Sequence, residues 1–470
     1  MAIISSGNYQ RKMMAGLLAA SMLMPVAAQA NDHESVDARL DRLEAMITAL
    51  QDQMANQQAS TAQADAVNQL GAAVAETRAQ NQALAEQQAA TEARVAQVEK
   101  SDRSGFHVGD TAISIGGYVK FDAISSRTSA GQLANDSIVR DFLIPSTIPV
   151  GAGNDSGWDT DFSARQSRFN IKTSTPVGDK SVNTLIELDF MATPGDGERT
   201  TNSYTPRIRH AIVSYDGWTI GQTWSTFFNV GALPDTLDFI GTTPGTVFIR
   251  QPMIRYTTKG GLSFAVENPE STITTSTGGR LVPGDDGLPD IVARYDLKSG
   301  RNSFSIAAIG RQLKVTNDDF GLGSDSTLGY GVSLAGTIGI GAKDDFRFMF
   351  NAGEGLGRYI GLNIVNGAAI DPVTGKLDAI ASYSGFGAYR HVWSPKLRST
   401  IAGSYFKADN PVLLTGGTPT DTVWNALANI IYSPVPKLDF GLEYMYAERE
   451  IESGASGNLQ KLQVSAKYSF

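Results

Sequence analysis

The residue types able to do covalent or metal chemistry are few in this chain and badly spaced for it. His33, His107, His210 and His391 show no HExxH or related metal-ligand spacing, and His210 with Ser214 lacks a nucleophile elbow. The glycine run Gly353-Glu354-Gly355-Leu356-Gly357 does not open a helix after a parallel strand, so it carries no phosphate-cradle meaning. Cysteine is absent, which excludes disulfide scaffolds, zinc fingers, iron-sulfur ligation and thiol nucleophiles. No enzyme activity, metal or cofactor is expected, and a net charge of −9 argues against a nucleic-acid partner.

What does recur is charge on one face of alternating segments. If the apolar side chains of each segment share one face, Lys120, Arg168, Lys172, Arg255, Arg294, Arg347, Arg398 and Arg449 fall on the other, with Glu187, Asp189, Glu267, Asp296 and Glu443. Arg207 and Arg209 join them if Ile208 and Ile212 lie on the apolar face. Inside a closed barrel such guanidinium groups would set a transverse field and attract anions. The same pattern also fits a merely solvated, internally ion-paired lumen face, and parity alone leaves both readings open.

The elements that would carry these residues follow from periodicity. From Ile113 onward the period is two: Ile113, Ile115, Val119, Phe121 and Ala123 alternate with Ser114, Tyr118, Lys120 and Asp122, and Phe346, Phe348 and Phe350 alternate with Arg347, Met349 and Asn351. About sixteen such segments begin near residues 112, 163, 181, 207, 217, 246, 261, 288, 302, 326, 343, 379, 396, 421, 437 and 459. Short polar turns, such as Asp216-Gly217 and Ser394-Pro395, alternate with long connections, such as 125–162, 193–206, 227–245, 268–288, 355–378 and 407–419. That asymmetry predicts an all-β transmembrane barrel of about sixteen antiparallel strands over 104–470. Closure is required because backbone groups in hydrocarbon find no water partners, so no edge can remain unpaired. At sixteen strands a barrel leaves an aqueous channel, whereas eight are filled by side chains. The arrangement also explains why only 41% of residues are apolar. Trp218 and Trp393 beside short turns, with Tyr444, Tyr446 and Tyr468, suit an interfacial aromatic girdle.

The connection 227–245 combines Phe227, Phe228, Leu233, Leu237, Phe239 and Ile240 with only Asp235 and Asp238 as charges. Folded inward, it would narrow the lumen, with Asp235 and Asp238 facing the arginines. An external loop at a subunit contact is the alternative.

Ahead of the strands, Arg11 and Lys12 precede an apolar stretch closing on Ala28-Gln29-Ala30, a secretory signal over 1–30. Residues 31–103 are rich in Ala, Gln and Glu and form a predicted long helix. Leu40, Leu43, Ile47, Leu50 and Met54, then Val67, Leu70, Val74, Leu84, Val95 and Val98, make one heptad seam, interrupted by Gln57, Thr61, Asn81, Gln88 and Thr91. The expectation is a parallel coiled coil joining several copies, with a solvated spacer as the alternative.

The order of these features, with the Ser163-Ala164-Arg165-Gln166-Ser167-Arg168-Phe169 strand, the Gly221-Gln222-Thr223-Trp224-Ser225 run before the apolar loop and the terminal Phe470, resembles the DcaP-like trimeric porins of Gram-negative outer membranes. The resemblance implies a homotrimer of sixteen-stranded barrels with a periplasmic coil, passing small anions such as dicarboxylates; lipid, lipopolysaccharide and, through the coil, peptidoglycan are the further expected partners. A structural tether anchored by the barrel is the alternative function.

Overall fold

The computed structural model describes residues 36–56, 71–72, 74–75, 106–135, 137–192, 201–317 and 323–470. The signal stretch 1–30 and most of the heptad seam lie outside them. The chain divides into two units, 1–103 and 104–470.

In the first unit Val36–Asn56 is α-helical, as its composition dictates. Leu40 and Ile47, one heptad apart, are buried, whereas Leu43 and Leu50 are exposed, so the helix buries a narrower stripe than an a/d seam. Helical Gly71 lies beside Ile47: a Cβ there would sit 3.7 Å from Ile47 Cγ2. In one straight helix these positions would be about 36 Å apart. The single long helix expected through both therefore does not run straight from one to the other.

In the second unit the two-residue rhythm produces the barrel. Its staves, in chain order, are Thr111–Thr128, the broken pair Asp159–Ser163 and Arg168–Val177, Lys180–Asp189, Arg207–Tyr215, Trp218–Trp224, Arg250–Thr257, Leu262–Glu267, Asp290–Ser299, Asn302–Asn317, Gly323–Ile340, Asp344–Glu354, Ala381–Ser394, Leu397–Asp409, Thr420–Val435, Leu438–Ile451 and Ser456–Ser469. Each pairs antiparallel with the next, and the last pairs with the first from Tyr118↔Ser469 to Thr128↔Leu459. No stave is left as an edge, so main-chain groups pair around the whole wall, as spanning hydrocarbon requires.

Alternation sorts the side chains. Along Thr420–Val435, Val423, Asn425, Leu427, Asn429 and Ile431 are buried on the lumen side, while Trp424, Ile430 and Tyr432 stand exposed on the outer one. Trp218, Trp393, Tyr444 and Tyr468 are also outward and exposed. Short turns gather at one end and long connections at the other, except that at the long-loop end only five residues join Asn317 to Gly323 and only Glu452 to Ala455 join Ile451 to Ser456. Strict alternation of loop length fails there.

Two departures from simple alternation matter. The segment read as one strand through Ser163 to Phe169 turns at Ala164 to Ser167 and resumes at Arg168, which leaves Arg165 buried inside the barrel. Between Lys180–Asp189 and Arg207–Tyr215 the register slips: Leu188 faces Ile208, Glu187 faces His210, and Arg209 is the extra residue. A bulge resets parity. Ile208 faces outward, but Ile212, expected outward too, falls opposite Leu185 on the lumen side.

The interior is crowded. Three long connections, rather than the one singled out by composition, fold inward. Phe227, Phe228 and Ile240 of 225–249 are fully buried, as are Leu356 and Tyr359 of 355–380 and Leu143 and Ile148 of 129–158. Above them Ile273–Thr274, Arg280–Leu281, Ala368–Ile370 and Leu377–Ala379 form a four-stranded sheet that ties two long connections together.

Candidate functional site: a basic passage around an inward loop

Connection 225–249 is stitched to the barrel wall almost all the way round. Arg294 Nη1 donates to the carbonyls of Thr226 (3.2 Å) and Phe228 (2.8 Å). Asn229 Nδ2 donates to Ser305 (2.8 Å), Arg347 Nη1 to Leu233 O, Asn429 Nδ2 to Asp235 O, Asn425 Nδ2 to Gly241 O and Asn351 Nδ2 to Gly245 O. At the tip, Leu237 N and Asp238 N donate to Glu443, while Lys120 Nζ and Gln463 Nε2 donate to Leu237 O. The loop's turns leave main-chain groups without regular partners, and wall side chains satisfy them. The inward course of this loop is therefore an observed property of the fold.

That use of the wall changes the reading of several predicted residues. Arg294 and Arg347 face the lumen but serve as loop anchors, each also paired with its own-strand neighbour, Asp296 and Asp345. Lys120 is buried among Asp122, Gln166 and Leu237. Asp235 does face an arginine, Arg398, at 2.6 Å, and Arg398 also reaches Asp439. Asp238 does not. It is buried, pairs with Lys461 at 2.5 Å rather than with an arginine, and accepts from the N–H groups of Leu143, Ile240 and Gly241, so it shapes the loop. Lys172 is exposed and lines neither cavity described below; Arg255 sits apart beside Arg294, Glu267 and Asp296.

The remaining predicted cations converge. Asp189 accepts a bidentate pair from Arg207 (2.9 and 2.9 Å) and a further bond from Arg209 Nη1 (2.8 Å), whose Nε donates to Glu187 (2.8 Å). Arg168 is 3.6 Å from Glu187 and lies over the Tyr118 ring. Arg207 and Arg209 share one face because of their two-residue spacing, and the bulge adds His210, hydrogen-bonded to Thr223 at 2.9 Å. Arg250, missed in the sequence, stacks 4.8 Å over Trp224 within electrostatic reach of Arg168, Arg207 and Arg209.

Two cavities flank this cluster. One, of about 170 Å³ towards the short-turn end, is lined by Tyr118, Lys120, Arg168, Arg398 and Lys467 with Asp235, Asp238 and Asp439. The other, of about 500 Å³ towards the long-loop end, is lined by Arg207, Arg250 and Arg358 and by no acidic residue among the described ones. Phe239 lines both. It is braced by Phe142 (5.2 Å), Phe248 (5.7 Å) and the Arg209 guanidinium (5.4 Å). One aromatic ring at the loop tip therefore stands between a zwitterionic cavity and a purely basic one.

Sequence reasoning missed Arg250, Arg358 and the second and third inward loops. A signal existed for the loops: Ile138, Val139, Phe142, Leu143 and Ile144, and likewise Tyr359, Ile360, Leu362, Ile364 and Val365, are too apolar for solvated connections. Arg358 rides on one of these. Its neighbour Tyr359 is locked by hydrogen bonds with Gln251 and Asp290, and Asp290 lies 3.4 Å from the fully buried Arg311.

Among solved structures, the outer membrane channel DcaP of Acinetobacter baumannii is similar at a TM-score of 0.64 and 24% identity, over 78% of this chain and 100% of that one. An anion-selective porin from Comamonas acidovorans is similar at 0.47 and 11% identity, over 77% of this chain and all of that one. No curated protein matches the chain. The family model of the DcaP outer membrane protein matches residues 46–470, and the chain, an outer-membrane barrel of the porin kind, belongs to that family.

Proposed function

We propose that this protein is a passive channel for small hydrophilic anions, dicarboxylates among them, sieved at Phe239 and steered by the arginines around it. The observation that carries the reading is the lining of the long-loop cavity, whose charged side chains are Arg207, Arg250 and Arg358; Asp189 and Asp290, which pair with Arg207 and Arg358, lie outside that lining. A carboxylate solute entering there exchanges water for guanidinium donors in a low-dielectric wall, where such pairing is strong. A cation finds no acidic side chain in that lining. Beyond Phe239, Asp235 and Asp439 beside Arg398 and Lys467 weaken the hold and permit release, since conduction needs binding that is not too tight.

The proposed assembly is a homotrimer in the lipid and lipopolysaccharide of the outer membrane, with residues 31–103 as a periplasmic coil. Supporting the latter, the chain enters the barrel at its short-turn end, the periplasmic one in barrels of this kind, through Phe106–Val108 paired with Thr111 to Ile113. Planar-bilayer recordings of purified protein in a KCl gradient test the function. The expected reversal potential has the sign of anion preference; cation preference, or no conductance at all, overturns it.

A further inference from the structure

The long-loop cavity has a second property that plain anion steering does not need. Besides its arginines and Gln222 it is lined by apolar side chains, among them Phe142, Ile144, Phe248, Leu362 and the outward-facing Ile208. Hydrated inorganic ions gain nothing from such walls. A mostly apolar cavity of several hundred Å³ with a few convergent polar groups is the usual form of a small-molecule site.

The three guanidinium groups there are not equivalent. Arg207 is held bidentately by Asp189, and Arg358 donates to Gln251 and to Asn268 O. Arg250 has no hydrogen bond or ion pair among the described residues, and its Nη1 is buried without a partner. A buried charged donor left unpaired is costly and calls for an acceptor. Arg168, Arg207 and Arg209 outnumber Asp189 around it, so an anion is the favoured acceptor.

Leu362 adds an independent observation. It and Asn363 both adopt φ of 65°, following Gly361 at 55°. Left-handed backbone at a leucine is uncommon and strained, and it persists only where the surroundings enforce it. Here Asn363 does so, accepting from Thr272 through its side chain and from Arg280 through its carbonyl. The result is an apolar side chain delivered to the cavity wall.

We propose that the long-loop cavity binds small organic anions with an apolar body, monocarboxylates on a short alkyl chain, and that Arg250 receives the carboxylate while Leu362 and the facing aromatics hold the chain. One guanidinium without a hydrogen bond or ion pair among the described residues matches one carboxylate. The proposal rests on the anion-channel reading and makes it more specific.

The test uses the purified full chain in planar bilayers, with acetate, butyrate and hexanoate added on the long-loop side and the duration of current interruptions measured. Residence should lengthen about three- to fourfold per added methylene, the factor for burying each CH₂. Arg250→Gln should shorten hexanoate residence at least about tenfold, the scale of a lost charge-assisted hydrogen bond. Leu362→Asn, which suits left-handed backbone and so keeps the fold, should flatten the dependence on chain length. Equal residence for acetate and hexanoate, or an unaltered hexanoate residence in R250Q, overturns the site. The reversal potential of the same membranes is read separately. Anion preference without chain-length dependence defeats only this proposal, whereas cation preference defeats the channel reading as well.

Discussion

Glu443 Oε2 accepts a hydrogen bond from Leu237 N at 2.8 Å, joining residues 206 positions apart in sequence across the barrel interior. Its other oxygen takes Asp238 N at 2.9 Å, and Asn429 Nδ2 donates to the same carboxylate. One wall residue thus fixes the tip of the loop that carries Phe239. In Glu443→Ala these donors lose their acceptor inside a buried region, at about 1–3 kcal/mol for each group left unsatisfied. The barrel should still assemble, because its ladder is untouched. Open-channel noise and mean conductance should both rise in single-channel recordings; an unchanged current trace would show that the tip is held by other contacts.

The alternation of faces can be tested at adjacent residues. Val332 is 51% exposed on the outer face and Ser333 is 3% exposed on the inner one. Val332→Arg should cost about 2–4 kcal/mol if residue 332 lies at mid-membrane depth. Urea titration of protein folded into vesicles reads that loss, with an Arg placed at the rim residue Trp393 as the comparison, where the cost falls to about 0–1 kcal/mol.

Backbone contact between loop and wall gives a third expectation. A Cβ at Gly245 would meet Gly385 O at 2.2 Å and Gly385 C at 2.3 Å, so only glycine allows the loop's return segment to lie against the strand. Gly245→Ala must push the two apart and break the Asn351 bond to Gly245 O. Overpacking of this kind costs about 1–3 kcal/mol. A lower midpoint of thermal unfolding, with unchanged β-sheet circular dichroism below it, is the expected result.

The barrel was legible because its cause is local: a two-residue period needs no knowledge of distant partners, and Phe348 and Arg347 announce their faces within three residues. The starting points of all sixteen staves follow from it. The site was legible only in part. Arg207 and Arg209 shared a face as expected, yet the bulge that turns Ile212 inward depends on how Glu187 and Leu188 meet the next strand. Arg294 and Arg347 lie on the lumen side that alternation predicts, but their anchoring of the loop was not legible, because their partners are carbonyls of a loop remote in sequence. Arg250 escaped notice because alternation groups it with Pro252, Ile254 and Tyr256, which stand exposed on the outer face.

Removal of residues 31–103 should leave unit conductance unchanged, since the barrel is a separate unit with its own closed ladder. If the coil joins copies, crosslinking of the shortened protein should give fewer oligomers, or oligomers that dissociate at lower temperature. Loss of conductance would instead tie the helical segment to the channel itself.

The arginine cluster makes a sharper prediction about selectivity. Arg168, Arg207, Arg209 and Arg250 against Glu187 and Asp189 leave a formal charge of 4 − 2 = +2 among these six groups. Arg209→Gln reduces this to +1 and also frees Glu187 and Asp189 from their shared partner, so acidic oxygens turn toward the passage. Arg250→Gln makes the same change in charge without releasing any carboxylate, since Arg250 pairs with none among the described residues. Both variants should lower the anion-to-cation permeability ratio, Arg209→Gln more, by at least about twofold as focused fields at a constriction are weakened. The difference should shrink between 0.1 and 1 M KCl, as the screening length falls from about 10 to about 3 Å. Reversal potentials measured at both salt concentrations check the order of the two variants and its fading. Equal permeability ratios for wild type and Arg209→Gln at 0.1 M would mean that ions pass by a route this cluster does not face.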